Sequence, residues 1–134
     1  MTDFQEPAAS VRQALLVEDE ALVAMVAEES LRIIGFEPLS VRTASEALKV
    51  LDVSIPALAV IDVGLPDSRG DELAAKARVI APDMPIIVAS GYDEVALKRQ
   101  FAGDPATAVL SKPYTDRDLA RVVTALGLEV IEDS

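Results

Sequence analysis

The 134-residue sequence contains no cysteine, no histidine and no tryptophan. Without cysteine the chain cannot form disulfides, use a thiol nucleophile or bind a metal through thiolates, which is compatible with a reducing cytosol. Without histidine it lacks the commonest general base and metal ligand. Any metal site must therefore be built from oxygen ligands, which favours Mg²⁺, Mn²⁺ or Ca²⁺.

Long apolar runs and positive charge are also scarce. The sequence has no run of about 18 apolar residues and no signal-peptide pattern, so we expect no membrane span and a cytoplasmic protein. The net charge is −11 and the 12 basic residues form no block. Because phosphate contacts require lysine and arginine, this charge argues against nucleic-acid binding. The content of 51% hydrophobic and 4% aromatic residues predicts an aliphatic core within one domain.

Apolar runs alternate along the chain with segments of helical spacing. The weakest run carries Pro38, which places it at a sheet edge if it is a strand. The alternation predicts an α/β fold with a five-stranded parallel sheet and helices on both faces. We expect an N-terminal tail at 1–12, one domain at 13–126 and a short acidic end at 127–134. The predicted strands are 14–17, 37–42, 57–61, 85–89 and 106–110, and the predicted helices are 21–34, 45–51, 71–80, 93–101 and 116–126.

Polar side chains follow four of the five predicted strands. Glu18 and Asp19 come after the first strand, Asp62 after the third, Ser90 after the fourth and Lys112 after the fifth. The carboxyl ends of parallel strands share one edge of the sheet, where ligands of such folds bind. Three carboxylates gathered there repel one another unless a cation holds them, and a divalent cation with oxygen ligands is the natural solution. A lysine and a hydroxyl complete a receptor for a phosphoryl group, with Asp62 as the nucleophile.

The sequence resembles the receiver domain of response regulators in two-component signalling over about 13–126. The resemblance implies a CheY-like, flavodoxin-like (βα)5 fold with strand order 2-1-3-4-5. Four motifs in this order carry it: Glu18-Asp19 after an apolar run, Asp62 followed by Leu65-Pro66 and Gly70, Ser90-Gly91, and Lys112-Pro113.

The resemblance also implies a phosphorelay chemistry. Asp62 accepts a phosphoryl group from a phosphohistidine on a histidine kinase or histidine phosphotransfer protein. Lys112 pairs with a phosphate oxygen, the Ser90 hydroxyl turns inward to bond another, and the Lys112–Pro113 peptide bond is cis. The domain then switches its binding to a downstream protein target, as a monomer or weak dimer with no DNA-binding output domain. It catalyses only its own phosphorylation and slow dephosphorylation, and is not otherwise an enzyme.

A metal ion belongs to the same implied chemistry. Asp19, Asp62 and the backbone carbonyl of Gly64 ligate Mg²⁺ or Mn²⁺, and Glu18 acts nearby, often through water. We further expect the glycines of the loop after Asp62, Gly64 and Gly70, to let the backbone approach the phosphate closely.

The sequence departs from the family pattern at the positions that transmit and tune the signal. Val109 stands where receivers commonly carry a switching aromatic residue. The stretch PIIVASGY is similar to a subclass with a Phe-Ala-Thr-Gly-Tyr-like motif (FAT GUY), with Ile86 and Val88 in place of its two phenylalanines. Gly64 and Tyr92 occupy the two positions usually said to tune dephosphorylation, and they predict slow autodephosphorylation.

Three other functions compete with this interpretation. A phosphatase of the haloacid-dehalogenase type needs a second aspartate two residues after the first, where Gly64 stands. A nucleotide- or flavin-binding module needs a glycine-rich loop after the first strand, where acidic residues would repel phosphate. A pseudo-receiver that binds partners without phosphate is the more serious competitor. The roles of Tyr92 and Tyr114 stay open between packing and signalling, and 67–69 is expected to be a solvated loop that could face a partner.

Overall fold

The computed structural model describes residues 12–132, so most of the predicted tail, 1–11, lies outside the described residues. Strands and helices alternate as the sequence predicts. The third, fourth and fifth strands each begin and end one residue later than predicted, because the ladder continues past the apolar run into Asp62, Ser90 and Ser111. The elements are β1 Gln13–Val17, α1 Ala21–Ile33, β2 Glu37–Val41, α2 Ala44–Val53, β3 Leu58–Asp62, α3 Gly70–Ile80, β4 Ile86–Ser90, α4 Glu94–Gln100, β5 Thr107–Ser111 and α5 Asp116–Ala125.

The five strands form one parallel sheet in the order β2-β1-β3-β4-β5. This order confirms the predicted topology, including the edge position of the strand that carries Pro38. The chain leaves β1 for β2 on one side and then crosses back to β3 on the other. The ends of β1 and β3 therefore flank the point where strand order reverses, which is where ligands bind in open α/β sheets.

The two faces of the sheet bury separate aliphatic layers. In β1, Leu15 and Val17 pack with α2, α3 and α4, while Ala14 and Leu16 pack with α1 and α5. This alternation follows the two-residue period of a strand. Because both faces are covered, the strands read as nearly continuous apolar runs, and the polar residues at their ends stand out in the sequence.

The described part of the C-terminal end lies against the connection between α1 and β2. The Ile131 backbone N–H donates to the Ile34 carbonyl at 3.0 Å, and Arg12 donates to the Glu129 carbonyl at 2.6 Å. Leu128 packs against the layer under α1 and α5. The division into a tail at 1–12, a domain at 13–126 and an acidic end at 127–134 stays a prediction. Within residues 12–132, no helix has the length and apolar character needed to traverse a bilayer.

Candidate functional site

Strand register brings the predicted site residues to one edge of the sheet. Asp62 ends β3 and is 8% exposed, and its neighbour across the ladder is Ala89 of β4. The Lys112 backbone N–H donates to the Ser90 carbonyl at 2.8 Å, which fixes the start of the loop after β5. Glu18 follows β1 and is buried. Residues up to 94 positions apart in the sequence thus meet because each ends or follows a strand of the same parallel sheet.

Lys112 bridges two buried carboxylates. Its Nζ lies 2.7 Å from Asp62 Oδ1 and 3.3 Å from Glu18 Oε1. Burial alone would lower the pKa of Lys112, but the hydrogen bonds and charges of Asp62 and Glu18 outweigh it and raise that pKa. Burial raises the pKa of Glu18, with a smaller contribution from the charge of Asp62. The ammonium therefore stays charged and offsets part of the acidic charge in the cleft.

Three carboxylates form a group that fits a hard divalent cation. Glu18, Asp19 and Asp62 each offer an oxygen, and these oxygens lie within 4.8 Å of one another. Carboxylate oxygens are the ligands that Mg²⁺, Mn²⁺ and Ca²⁺ prefer. Arg42 Nη2 donates to the Asp19 carbonyl at 3.1 Å and so ties the loop after β1 to the end of β2.

The loop between β3 and α3 is folded tightly against the end of β3. Gly64 and Arg69 face each other in an antiparallel bridge, and the Gly70 N–H donates to the Val63 carbonyl at 2.8 Å. A β-carbon at Gly70 would collide with the backbone carbonyl of Asp62. The expectation that Gly70 makes room for phosphate is therefore wrong, because the room it makes is filled by the backbone at the end of β3. Gly64 borders the cleft, and a β-carbon there would lie 3.5 Å from Asp62 Oδ2.

Asp67 in this loop caps a helix. Its two carboxylate oxygens accept from the backbone N–H groups of Ala44 at 2.9 Å and Ser45 at 3.0 Å. These hydrogen bonds lower the pKa of Asp67. The Thr43 hydroxyl accepts from Glu46 at the same helix start, so the first turn of α2 has partners for its free N–H groups. Asp67 is exposed, as a solvated loop predicts, but it holds the β3–α3 loop to α2.

Ser90 lies in the cleft with its hydroxyl bonded to its own turn. The hydroxyl donates to the Tyr92 carbonyl and accepts the Tyr92 N–H at 3.0 Å. Such local bonds are typical of serine in turns. Contact between this hydroxyl and a group on Asp62 therefore requires the turn bond to break. Gly91, the next residue, has nothing within 4 Å of a β-carbon position.

The positions that depart from the family pattern lie in different surroundings. Val109 pairs with Val88 in the ladder and packs against the layer of α2, α3 and α4. Tyr92 is 83% exposed at the lip of the cleft. Tyr114 packs against the layer of α1 and α5, and burial raises its pKa. The structure thus gives Tyr114 a packing role and leaves Tyr92 free for contacts.

Asp19, Asp62, Ser90 and Lys112 line one cleft, and Glu18 is buried beside it in contact with Lys112. Sequence reasoning missed Arg69, which also lines this cleft, because nothing in a loop pattern tells where an arginine points. The Lys112–Pro113 peptide bond is cis, which confirms that prediction. The charged and hydroxyl side chains that line the cleft include Asp19, Glu20, Asp62, Arg69, Ser90 and Lys112.

Comparison with known proteins identifies the family. The model of the response regulator receiver domain matches residues 14–124. The chain belongs to this family. Receiver domains are signalling domains, so the cleft around Asp62 lies in a receiver domain of two-component signalling.

Solved receiver domains share the fold over most of the chain. A CheY-like receiver domain protein from Methanospirillum hungatei has a TM-score of 0.77 at 30% identity and covers 86% of this chain and 92% of its own. A receiver protein from Sinorhizobium medicae has a TM-score of 0.76 at 30% identity and covers 87% of this chain and 94% of its own. The flavodoxin-like architecture is thus shared with structures that are themselves receiver domains.

Curated relatives are longer proteins. The photosynthetic apparatus regulatory protein RegA of Rhodobacter capsulatus is 30% identical over 88% of this chain and 64% of its own length. The sensor kinase CckA of Brucella abortus is 32% identical over 81% of this chain and 12% of its own length. The PdtaR regulator of Mycobacterium tuberculosis is 32% identical over 92% of this chain and 65% of its own length. The chain thus spans between 12% and 65% of the length of these three relatives.

Proposed function

We propose that this receiver domain accepts a phosphoryl group on Asp62 from a phosphohistidine and thereby switches its binding to a protein target. One observation carries the proposal. A buried carboxylate at a strand end has a lysine 2.7 Å from one oxygen and two further carboxylates within 4.8 Å. A structural aspartate has no need of this combination, whereas phosphoryl transfer needs a nucleophile, a cation at the developing charge and a metal-binding acid group.

The transfer is a displacement at phosphorus. A carboxylate oxygen of Asp62 forms the new P–O bond as the P–N bond to the donor imidazole breaks. The electron pair of that bond goes to the imidazole nitrogen, which takes a proton from water. Lys112 already contacts Asp62 in the resting state, so its ammonium is in place to move onto a phosphoryl oxygen as the carboxylate loses its charge. No large rearrangement of charge is required, which is the advantage of a preorganised site.

Mg²⁺ or Mn²⁺ would be held by Asp19, Asp62 and the carbonyl of Gly64, with Glu18 beside them. The close approach of the three carboxylate oxygens supports this ligand set. When bound, the cation neutralises acidic charge that would otherwise repel an incoming phosphoryl group. Ser90 supplies a second phosphoryl contact after its hydroxyl leaves the Tyr92 backbone, an exchange of one hydrogen bond for another.

We infer slow loss of the phosphoryl group from the two tuning positions. Gly64 offers no side chain to orient an attacking water molecule. Tyr92 is free at the lip of the cleft and can cover the phosphoryl group. The switch operates without an aromatic residue at position 109, since Val109 is packed into the core layer.

The donor is a protein, a histidine kinase or histidine phosphotransfer protein in the cytoplasm. Exposed apolar side chains support a protein contact beside the cleft. Leu22 and Val26 of α1 are largely exposed and line a groove with Pro113 and Tyr114, next to Lys112. Exposed apolar patches of this kind mark interaction sites, and this one adjoins the acceptor that a phosphohistidine must reach. The domain acts as a monomer or weak dimer.

The proposal is tested with acetyl phosphate and Mg²⁺, followed by intact-protein mass measurement. The wild type should gain one phosphoryl adduct, and the adduct should be lost in Asp62→Asn and when EDTA replaces Mg²⁺. Asp93→Asn is a matched control, because Asp93 is an exposed aspartate of the same cleft, and it should still gain the adduct. A wild type that gains no mass would favour the pseudo-receiver, which binds partners without phosphate.

A further inference from the structure

The bridge inside the β3–α3 loop directs Arg69 toward the acceptor. Residues directly opposite in an antiparallel pair carry their side chains on the same face, with Cβ atoms about 4.5–5.5 Å apart. Arg69 lies opposite Gly64, and a β-carbon at Gly64 would be 3.5 Å from Asp62 Oδ2. The face shared by the two residues is thus the one that looks toward the acceptor carboxylate. The missing side chain at Gly64 leaves the space between Arg69 and Asp62 open.

Of the two basic side chains in the cleft, Arg69 is the one that does not contact Asp62. Two basic side chains, Lys112 and Arg69, line this cleft, and Lys112 already bridges Asp62 and Glu18. The Nε of Arg69 donates to Asp71 Oδ1 at 2.9 Å. Within residues 12–132, the terminal amino groups of this guanidinium make no hydrogen bond to another residue. They are therefore available to a ligand.

We infer that Arg69 binds the phosphoryl group carried by Asp62, an inference that rests on the proposed function. Phosphorylation replaces the single negative charge of Asp62 by up to two in a site that already holds Glu18 and Asp19, and Lys112 carries only one positive charge. A guanidinium pairs with two phosphoryl oxygens at once, a geometry that an ammonium does not offer. Arg69 pairs with Asp71 through Nε, and the Arg69 side chain is 55% exposed, so the guanidinium can keep this contact while its terminal amino groups bind the phosphoryl oxygens.

The test uses beryllofluoride with Mg²⁺, a mimic of the phosphoryl group on aspartate, titrated into the protein and followed by amide NMR shifts. Arg69→Gln should bind beryllofluoride about 10-fold more weakly or worse, as expected for loss of a charge-assisted contact. Arg69→Lys should recover part of the affinity. Arg32→Gln is the control for the loss of an arginine ion pair, because Arg32 pairs with Glu29 at 3.8 Å but lies on α1 outside the cleft.

A Mg²⁺ titration without beryllofluoride separates ligand contact from a structural role. Removing a cation from an acidic cleft should leave Mg²⁺ affinity unchanged or raise it, whereas a disturbed loop would weaken both ligands together. The inference is overturned if Arg69→Gln binds beryllofluoride as the wild type does, or if both affinities fall in parallel. A wild type that takes up neither beryllofluoride nor a phosphoryl group overturns the proposed function, and the role of Arg69 with it.

Discussion

Replacing Lys112 by methionine tests whether Lys112, Asp62 and Glu18 act as one unit. The substitution keeps most of the side-chain volume but leaves the carboxylates of Asp62 and Glu18 without the ammonium that lies 2.7 and 3.3 Å from them. Breaking a fully buried pair costs about 3–5 kcal/mol and an exposed pair about 0–1 kcal/mol. The Lys112 side chain is 23% exposed. We therefore expect the free energy of unfolding to fall by about 2 kcal/mol, between these two limits.

The pKa of Lys112 sets the conditions for this measurement. Its folded-state pKa is raised by Asp62 and Glu18 against the opposing effect of burial. The stabilisation is thus fully present below the ordinary lysine pKa of about 10.4 and fades only as the pH rises through the raised value. Urea unfolding at neutral pH in EDTA, followed by circular dichroism, therefore reports the full contribution without any bound metal.

A control and a double-mutant cycle make the result decisive. Lys98→Met removes a lysine with a similar ion-pair distance, 2.8 Å to Glu94, but on an exposed helix surface, and it should change stability much less. Combining Lys112→Met with Asp62→Asn should cost less than the sum of the two single changes, because the second removes a charge that the first leaves unpaired. Additive effects, or a Lys112→Met protein as stable as Lys98→Met, would refute the reasoning.

Three further changes test other parts of the structure. Glu18→Gln should stabilise the metal-free protein in urea unfolding at neutral pH, since burial raises the pKa of Glu18, and should weaken Mg²⁺ binding about 10-fold in calorimetry. A Glu18→Gln protein that binds Mg²⁺ as tightly as the wild type would contradict the place of Glu18 beside the metal. Gly70→Ala should lower the unfolding free energy by about 2 kcal/mol, because its β-carbon collides with the Asp62 carbonyl, and unchanged stability would refute that packing. Burial alone would raise the pKa of Asp104, but hydrogen bonds to Thr107 and Ala106 and the contact with Arg78 lower it. The stability gained from Asp104 should therefore be present above its ordinary pKa of about 3.9 and be lost as the pH falls through the lowered value. The difference in unfolding free energy between the wild type and Asp104→Asn should disappear below about pH 4. A difference that grows as the pH falls would show that the pKa of Asp104 is raised on folding.

The fold could be predicted because the strands in the middle of the sheet, β1, β3 and β4, are buried on both faces. Burial of β3 and β4 requires continuous apolar runs, so the runs mark the strands and the first polar residue marks the edge of the sheet. Since parallel strands all end at one edge, the meeting of Asp62 with Lys112 follows from topology alone. The sequence therefore predicts that the charged residues of the site lie close together.

Contacts made by loops could not be predicted from the sequence in this way. Asp67 caps a helix that begins 23 residues earlier, and no local pattern identifies the helix that a loop carboxylate will meet. The bond of Ser90 to its own turn, and the orientation of Arg69 by its bridge to Gly64, likewise depend on backbone paths that periodicity does not encode. Gly70 could be recognised as special, but only the structure shows that the Asp62 backbone is what it accommodates.

Chemical trapping of the phosphorylated residue tests the central claim most directly. Protein treated with acetyl phosphate and Mg²⁺ is reduced with borohydride, which converts an aspartyl phosphate into homoserine, and is then digested for peptide mass mapping. We predict homoserine at position 62 and at no other aspartate. Homoserine at Asp19 or Asp93 with none at position 62, or unmodified Asp62 in protein shown by its intact mass to carry the phosphoryl group, would contradict the account.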